Sequence, residues 1–392
     1  MWRRVSLKNY RSIESAEVEL APFTVVVGPN GSGKSNFVDA LVLASEIAYD
    51  AGAAIRKRGG ISAVRRWGVP DTQETRVRID LAADKGAFDS RFVRQSFELL
   101  PSLETGWRFG SEMLAAFDGG QAGSNLSRKD GQEVGHLETP HLAPRGFIIS
   151  PLEATTSLAL YARQMASRDF QIFSSRRLQL DLATMRTPQP PGESARLKED
   201  GSNISSVLRR LREHDAQAFE FMLLAMRRLI PGLEDIFVEE AGGFLLLQFK
   251  QRQAAGIATF AATSMSEGAL RALGIIVASC TVSPADFLIV EEPEVAIHPG
   301  AAALLFDVLK RASDTASVLV TTHSPELLDA AQDEEILVCS YRNGATRIGS
   351  LATEQRKVVR DGLYSLSELA RSEPLRIEGE EPEVLEPSDL NP

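Results

Sequence analysis

Residues 23–35 constrain this chain more than any others. Phe23-Thr-Val-Val-Val27 is apolar from end to end, as a strand covered on both faces must be. It stops at Gly28, and Phe37, Val38, Leu41 and Val42 then recur at helical spacing towards Asp50. The turn between them reads Gly28-Pro-Asn-Gly-Ser-Gly33-Lys34-Ser35, which fits G-x-x-x-x-G-K-[ST] in the strand-to-helix setting the motif requires. Asn30, Gly31, Ser32 and Gly33 offer backbone N–H groups and little bulk, so the loop can close on a run of phosphates. The helix N-terminus adds its partial positive charge. Lys34 is the cation for the outer phosphates, and the Ser35 hydroxyl suits a magnesium ion. The plain alternative is a glycine-rich turn with a solvated lysine, and the flanking strand and helix argue against it.

The rest of the chain supplies the sheet that such a loop needs. Arg4–Asn9 and Ile13–Leu20 read as short strands, the second alternating Val18 and Leu20 with acids. From Gly268 onward a helix to Ser279, a strand Phe287–Val290, a helix Gly300–Ser313 and a strand Val318–Val320 follow in order. Such alternation predicts a largely parallel sheet covered by helices. Between these halves, Val77, Ile79 and Leu81 alternate with charged residues and a second run spans Phe92–Leu99, the pattern of half-exposed antiparallel strands. The glycine-rich stretch 118–135 reads as a loop. Helical patterns occupy Ala154–Arg168 and Ala216–Leu229.

The expected organisation is therefore a split core, residues 1–55 and 255–352, around an inserted β/helical lobe at 56–254. A helical segment at 353–372 and an acidic, proline-rich, disordered tail at 373–392 complete it. At 43% apolar and 24% charged, the chain has an ordinary globular composition. No apolar run is long enough to span a membrane, and the two distant cysteines, Cys280 and Cys339, build no disulfide framework or zinc cage. These features predict a cytoplasmic protein with no membrane partner.

Three later segments carry chemistry. The strand Phe287–Val290 runs into Glu291-Glu292-Pro293-Glu294, and two carboxylates at a strand tip beside the loop suit a metal and an attacking water. Val318–Thr322 ends at His323, on the same edge if the two strands are parallel neighbours, where ligands bind. Ser264-Met-Ser266-Glu267-Gly268-Ala-Leu-Arg271 opens a helix and offers a second anion-binding N-terminus. Taken alone, each has a bland reading: a surface acidic cluster, a structural histidine, a capped helix.

Taken in order, these pieces resemble the ABC-type ATPases, and more narrowly the RecF/SMC-like branch with the ATPase part of OLD-family proteins. The opening L-K-N-Y-R-S-I, then GPNGSGKSN, S-E-G-x-L-R and EEPE with IHP and TTHSPELLD carry the resemblance, over roughly residues 1–50 and 262–330. It implies an α/β P-loop NTPase, an ABC-ATPase head with ATP and Mg²⁺ as cofactors. Lys34, Ser35 and Asn36 match the Walker A positions, and Glu291 stands where many relatives carry the metal-binding aspartate. Glu292 matches the catalytic base, His323 the switch histidine, and Ser266 and Gly268 the signature, with Glu267 replacing a glycine. The resemblance leaves the Q-loop glutamine open among Gln164, Gln171 and Gln179.

It also implies a homodimer, in which each signature serine meets the triphosphate held by the other copy's loop. Arginine clusters at 56–58, 65–66, 176–177, 209–212 and 227–228 stand out against a net charge of −10 and suggest a basic face for DNA. The two roles this leaves are DNA repair and anti-phage defence through a separate effector, such as a Toprim-like nuclease from another chain. A transporter's nucleotide-binding subunit is the alternative. The long insertion and the S-E-G-x-L-R signature speak against it.

Overall fold

The computed structural model describes residues 2–82, 91–118, 121–129, 132–136, 174–284 and 286–380. The helix expected at Ala154–Arg168 lies outside the described residues, as do Gln164 and Gln171. The described residues fold around one large mixed sheet and one small one. In the large sheet the strands run β8-β7-β6-β5-β4-β1-β2-β16-β15-β3-β14-β13-β9. Its parallel part is β15 (Ile336–Arg342), β3 (Phe23–Val27), β14 (Ser317–Thr322), β13 (Asp286–Glu291) and β9 (Ser174–Leu178).

The apolar runs explain why these strands sit at the centre. Every residue of β3 and β14 is buried, as are the first five of β13. Helices cover both faces: α1 (Lys34–Lys57) on one, and α6 (Glu267–Cys280) and α7 (Pro299–Ala312) on the other. Trp2 lies on Phe287 at 4.5 Å, and the Phe306 ring meets Phe23 edge-on at 5.5 Å, so each face is locked by an aromatic pair.

On the other side the sheet turns antiparallel through β1 (Trp2–Tyr10), β2 (Ile13–Glu19), β4 (Thr75–Ala82), β5 (Arg91–Ser102), β6 (Gly106–Asp118), β7 (Gln121–Lys129) and β8 (Gln132–His136). The antiparallel lobe is thus an extension of the core sheet. The glycine-rich stretch read as a loop forms β7 and β8. Its backbone pairs with β6, a template that compensates for its lack of apolar alternation.

Residues 56–254 do not stand wholly apart from the core. β9, a polar Ser-Ser-Arg-Arg-Leu, returns to the sheet beside β13. The boundary at 254/255 falls in a turn of the small sheet, β10 (Leu233–Ala241), β11 (Phe244–Gln253) and β12 (Gly256–Ala261). Among the described residues four helices belong to this region, α2 (Ile61–Val64), α3 (Leu182–Arg186), α4 (Ile204–His214) and α5 (Ala216–Leu229). Met222 and Met226 of α5 share one apolar core with α6.

After β16 (Ala345–Ser350) come α8 (Thr353–Arg360) and α9 (Leu366–Ser372). The first residues of the acidic tail are ordered: Ile377 is buried, bridges Leu351 and joins the core. Two apolar residues, Leu375 and Ile377, outweigh the local acidity there. Residues 381–392 lie outside the described residues. No described helix is long and apolar enough to cross a membrane.

Candidate functional site

Parallel pairing brings the ends of β3, β14 and β13 to one edge, and the chemistry collects there. The loop after β3 is held from below. Thr346 of β16 donates to the Ser32 carbonyl at 2.9 Å, and the Cys339 thiol lies against the same oxygen. Gly33 sits at φ 106°, and a Cβ on it would fall 2.1 Å from Thr346 Oγ1. Only glycine fits, by backbone and by space.

Lys34 is buried, and its ammonium donates to the Gly28 and Pro29 carbonyls at 2.7 and 3.0 Å, so its charge sits inside the ring of the loop. Asn30, Gly31 and Ser35 are exposed at the rim. The Ser32 hydroxyl is buried with no partner among the described residues. Asn36 is tied to the β1–β2 turn, donating to Ser12 Oγ at 2.6 Å. That turn is clamped to α1 by Asp39, which takes Tyr10 Oη at 2.5 Å and ion pairs from Arg11 and Arg58. Burial and the Asp39 carboxylate hold the Tyr10 phenol protonated, well above its ordinary range.

Ser35 Oγ donates to Glu291 Oε2 at 2.8 Å, joining the first motif to one 256 residues later. A hydroxyl and a carboxylate at a cleft mouth fit magnesium, a hard cation that prefers oxygen. No group of three or more His, Cys, Asp or Glu able to hold a metal occurs among the described residues. A cation here would draw its remaining ligands from phosphate and water.

Glu292 follows at φ 45°, a backbone that non-glycine residues seldom adopt, and it aims the side chain off the strand end. His323 Nδ1 lies 3.4 Å from Glu292 Oε1 and 3.9 Å from Glu294 Oε1. Thr322 Oγ1 donates to Glu294 at 2.6 Å, so Glu294 steadies the segment that carries the histidine.

The structure thus brings Lys34, Ser35, Glu291, Glu292 and His323 to one edge. Ser266 and Gly268 are not in that group. Ser266 is exposed and caps its own helix, accepting from the Ala269 amide at 3.2 Å. Gly268 packs against the segment after Glu294, where an added Cβ would lie 2.5 Å from the Ala296 carbonyl oxygen.

Sequence reasoning missed the part that Arg177 and Arg271 play in the site. A cleft of ≈ 460 Å³ is lined by Ser35, Arg177, Gln179, Arg271, Glu291 and Glu292 among others. Of the three glutamines left open, Gln179 alone lies among the described residues, just past the end of β9 in this cleft. Arg271 of α6 donates to the Glu291 and Glu292 carbonyls at 3.3 and 3.2 Å; burial pushes its guanidinium pKa down, and the nearby glutamates oppose that.

The arginines read as a basic face are largely committed elsewhere. Arg58 pairs with Asp39 and Glu46, Arg65 with Asp71, Arg177 with Glu291, Arg209 with Glu240 and Arg212 with Asp235. Arg176 is spent on the Ala278 carbonyl. The fold thus neutralises part of these clusters, while Arg56, Arg210 and Arg228 remain exposed.

Comparison with known proteins bears on the family and the fold. The family described as "AAA domain, putative AbiEii toxin, Type IV TA system" matches residues 23–329, more than half the chain. An OLD nuclease of Thermus scotoductus (strain ATCC 700910 / SA-01) is 42% identical over 43 residues, which is 11% of this chain and 8% of that protein. A chromosome partition protein Smc of Methanocaldococcus jannaschii is 48% identical over 40 residues, 10% of this chain and 3% of that protein. The matched stretches therefore span a small fraction of either relative. Among solved structures, an Smc head domain with an extended coiled coil, bound to the C-terminal domain of ScpA and derived from Pyrococcus furiosus, superposes with a TM-score of 0.53. The identity is 14%, covering 92% of this chain and 99% of that one, which speaks to fold alone.

Proposed function

The chain belongs to the AAA-domain family described as "AAA domain, putative AbiEii toxin, Type IV TA system", with the fold of an SMC head, and from this premise we propose that it binds and hydrolyses ATP. The single observation that carries the reading is the Ser35–Glu291 hydrogen bond. It closes Walker A onto Walker B at the edge where Glu292 and His323 meet.

In this reading Lys34 leaves the carbonyls of its own loop for the outer phosphates, while the loop amides hold the remaining oxygens. Ser35 and Glu291 would hold Mg²⁺, which when bound would neutralise the phosphates' charge. Glu292 takes the proton of the attacking water. His323, beside it, donates to the terminal phosphate or the water and so senses whether that phosphate is present. Gln179 fills the Q-loop position.

Ser266 and Gly268 complete the site of a second copy. Ser266 is exposed and caps only its own helix, which supports a head-to-tail homodimer with two shared ATPs. ATP then binds the pair better than either separate head, and hydrolysis releases it. The commitment of so many arginines to internal acids favours an effector protein over DNA as what the cycle controls. A Toprim-like nuclease on another chain, in anti-phage defence, suits that role, and we place the protein in the cytoplasm.

The test is ATP turnover in two variants. Glu292→Gln is expected to keep ATP binding and to lose turnover by about 10²-fold or more, the scale of a general base. Lys34→Ala is expected to lose binding itself. Turnover unchanged in both would remove the reading.

A further inference from the structure

Glu291 is held from two sides. Oε2 accepts from Ser35 Oγ at 2.8 Å, and Oε1 accepts from Arg177 Nε at 2.5 Å. The two oxygen donors assigned to the cation thus rest against each other, and a guanidinium occupies the carboxylate's other oxygen.

The sheet dictates this arrangement. β9 runs parallel to β13 with Arg177 opposite Ile289, two residues short of Glu291. Alternation sends Ser175 and Arg177 towards α1, where Ser175 Oγ meets Ser45 Oγ at 2.6 Å. Arg176 turns to α6 and the Ala278 carbonyl. The Arg177 side chain then reaches forward along the strand into the cleft. With side chains 24% and 19% exposed, the pair is partly shielded from water, so its attraction exceeds that of an open surface pair.

We propose that Arg177 is a positioning residue that makes cation binding at Glu291 conditional on a triphosphate. This rests on reading the cleft as a Mg–ATP site. Without nucleotide, the guanidinium neutralises Glu291 and repels a divalent ion, so the carboxylate is not on offer. With nucleotide, phosphate oxygens give the guanidinium a second anionic partner in the same cleft, and Glu291 is freed for the ion. Arginine suits the exchange because it stays charged and its planar fork fits carboxylate and phosphate alike. An idle head therefore does not sequester free cation, and the ion enters with its nucleotide.

The experiment is a Mn²⁺ titration of the nucleotide-free full chain, read by electron paramagnetic resonance. Arg177→Gln should bind Mn²⁺ about tenfold more tightly than wild type, the order expected when one like charge is removed from beside the ion. Arg177→Lys, which keeps the charge, should stay near wild type. The gain should vanish in the Arg177→Gln/Glu291→Gln double variant, which locates the ion. With a non-hydrolysable ATP analogue present, Arg177→Gln should bind the Mn²⁺ complex more weakly than wild type does. A folded Arg177→Gln protein with unchanged nucleotide-free Mn²⁺ affinity overturns the proposal, as does a gain that survives loss of Glu291. Failure of wild type to bind the analogue would instead refute the ATP reading, and the nucleotide-free titration would still judge the competition at Glu291.

Discussion

Single residues here are fixed by partners far away in sequence. Glu291 looks in the sequence like one of two equivalent carboxylates. In the fold it is bound by Ser35 and Arg177, while Glu292 is turned aside by a positive φ towards His323. Adjacent residues of one type thereby receive different environments, the condition for different roles. Glu74 shows the same dependence away from the site. The Lys8 ammonium at 2.9 Å, and its own backbone amide, hold its carboxyl below the ordinary range. A depressed pKa contributes stability above the unfolded value of about 4.3 and loses it as pH falls through the folded value. Glu74→Gln should therefore flatten part of the stability loss between neutral and acid pH, by at most about 1 kcal/mol because the pair is solvent-screened. Urea melts at pH 7 and near pH 3.5 measure it, and an unchanged slope would contradict it.

Among the elements, those with strong periodicity were legible and those held by tertiary pairing were not. β3, β13 and β14 are continuous apolar runs, and α5, α6 and α7 carry apolar faces at helical spacing, so the core and the order of its motifs could be read directly. β9 offers no such pattern. It is a strand because β13 templates it, and with it the place of Arg177 was hidden and Gln179 could not be told from Gln164 and Gln171. β7 and β8 were hidden for the same reason. The short sheet β10–β12 left its mark only in alternating residues such as Ile236 and Val238, and a boundary was drawn through it. Packing between elements also decides Gly268. Helix propensity alone says that Gly268→Ala should stabilise α6 by roughly 1 kcal/mol. A Cβ there would lie 2.5 Å from the Ala296 backbone oxygen. Overpacking of that kind costs about 1–3 kcal/mol, so packing wins and a net loss in denaturant stability is expected. A more stable variant would mean that the signature helix and the 294–298 segment are not in contact.

At the scale of the whole molecule, the arginine clusters teach the opposite lesson to the motifs. Motif order survived folding because parallel strands deliver their tips to one edge. Charge clustering survived only in part, because Asp39, Glu46, Asp235, Glu240 and Glu291 close on Arg58, Arg177, Arg209 and Arg212 from elsewhere in the chain, while Arg56, Arg210 and Arg228 stay exposed. One copy also brings together only half of what the proposed ATP cycle needs. The loop and the carboxylates meet, whereas Ser266 is exposed at the start of α6. The most direct measurement is sedimentation velocity of Glu292→Gln with Mg²⁺ and ATP, with and without a Ser266→Arg substitution. The account predicts a dimer that forms only with ATP and is lost when Ser266 is replaced. A protein that stays monomeric with ATP bound, or dimerises equally without ATP, would contradict it.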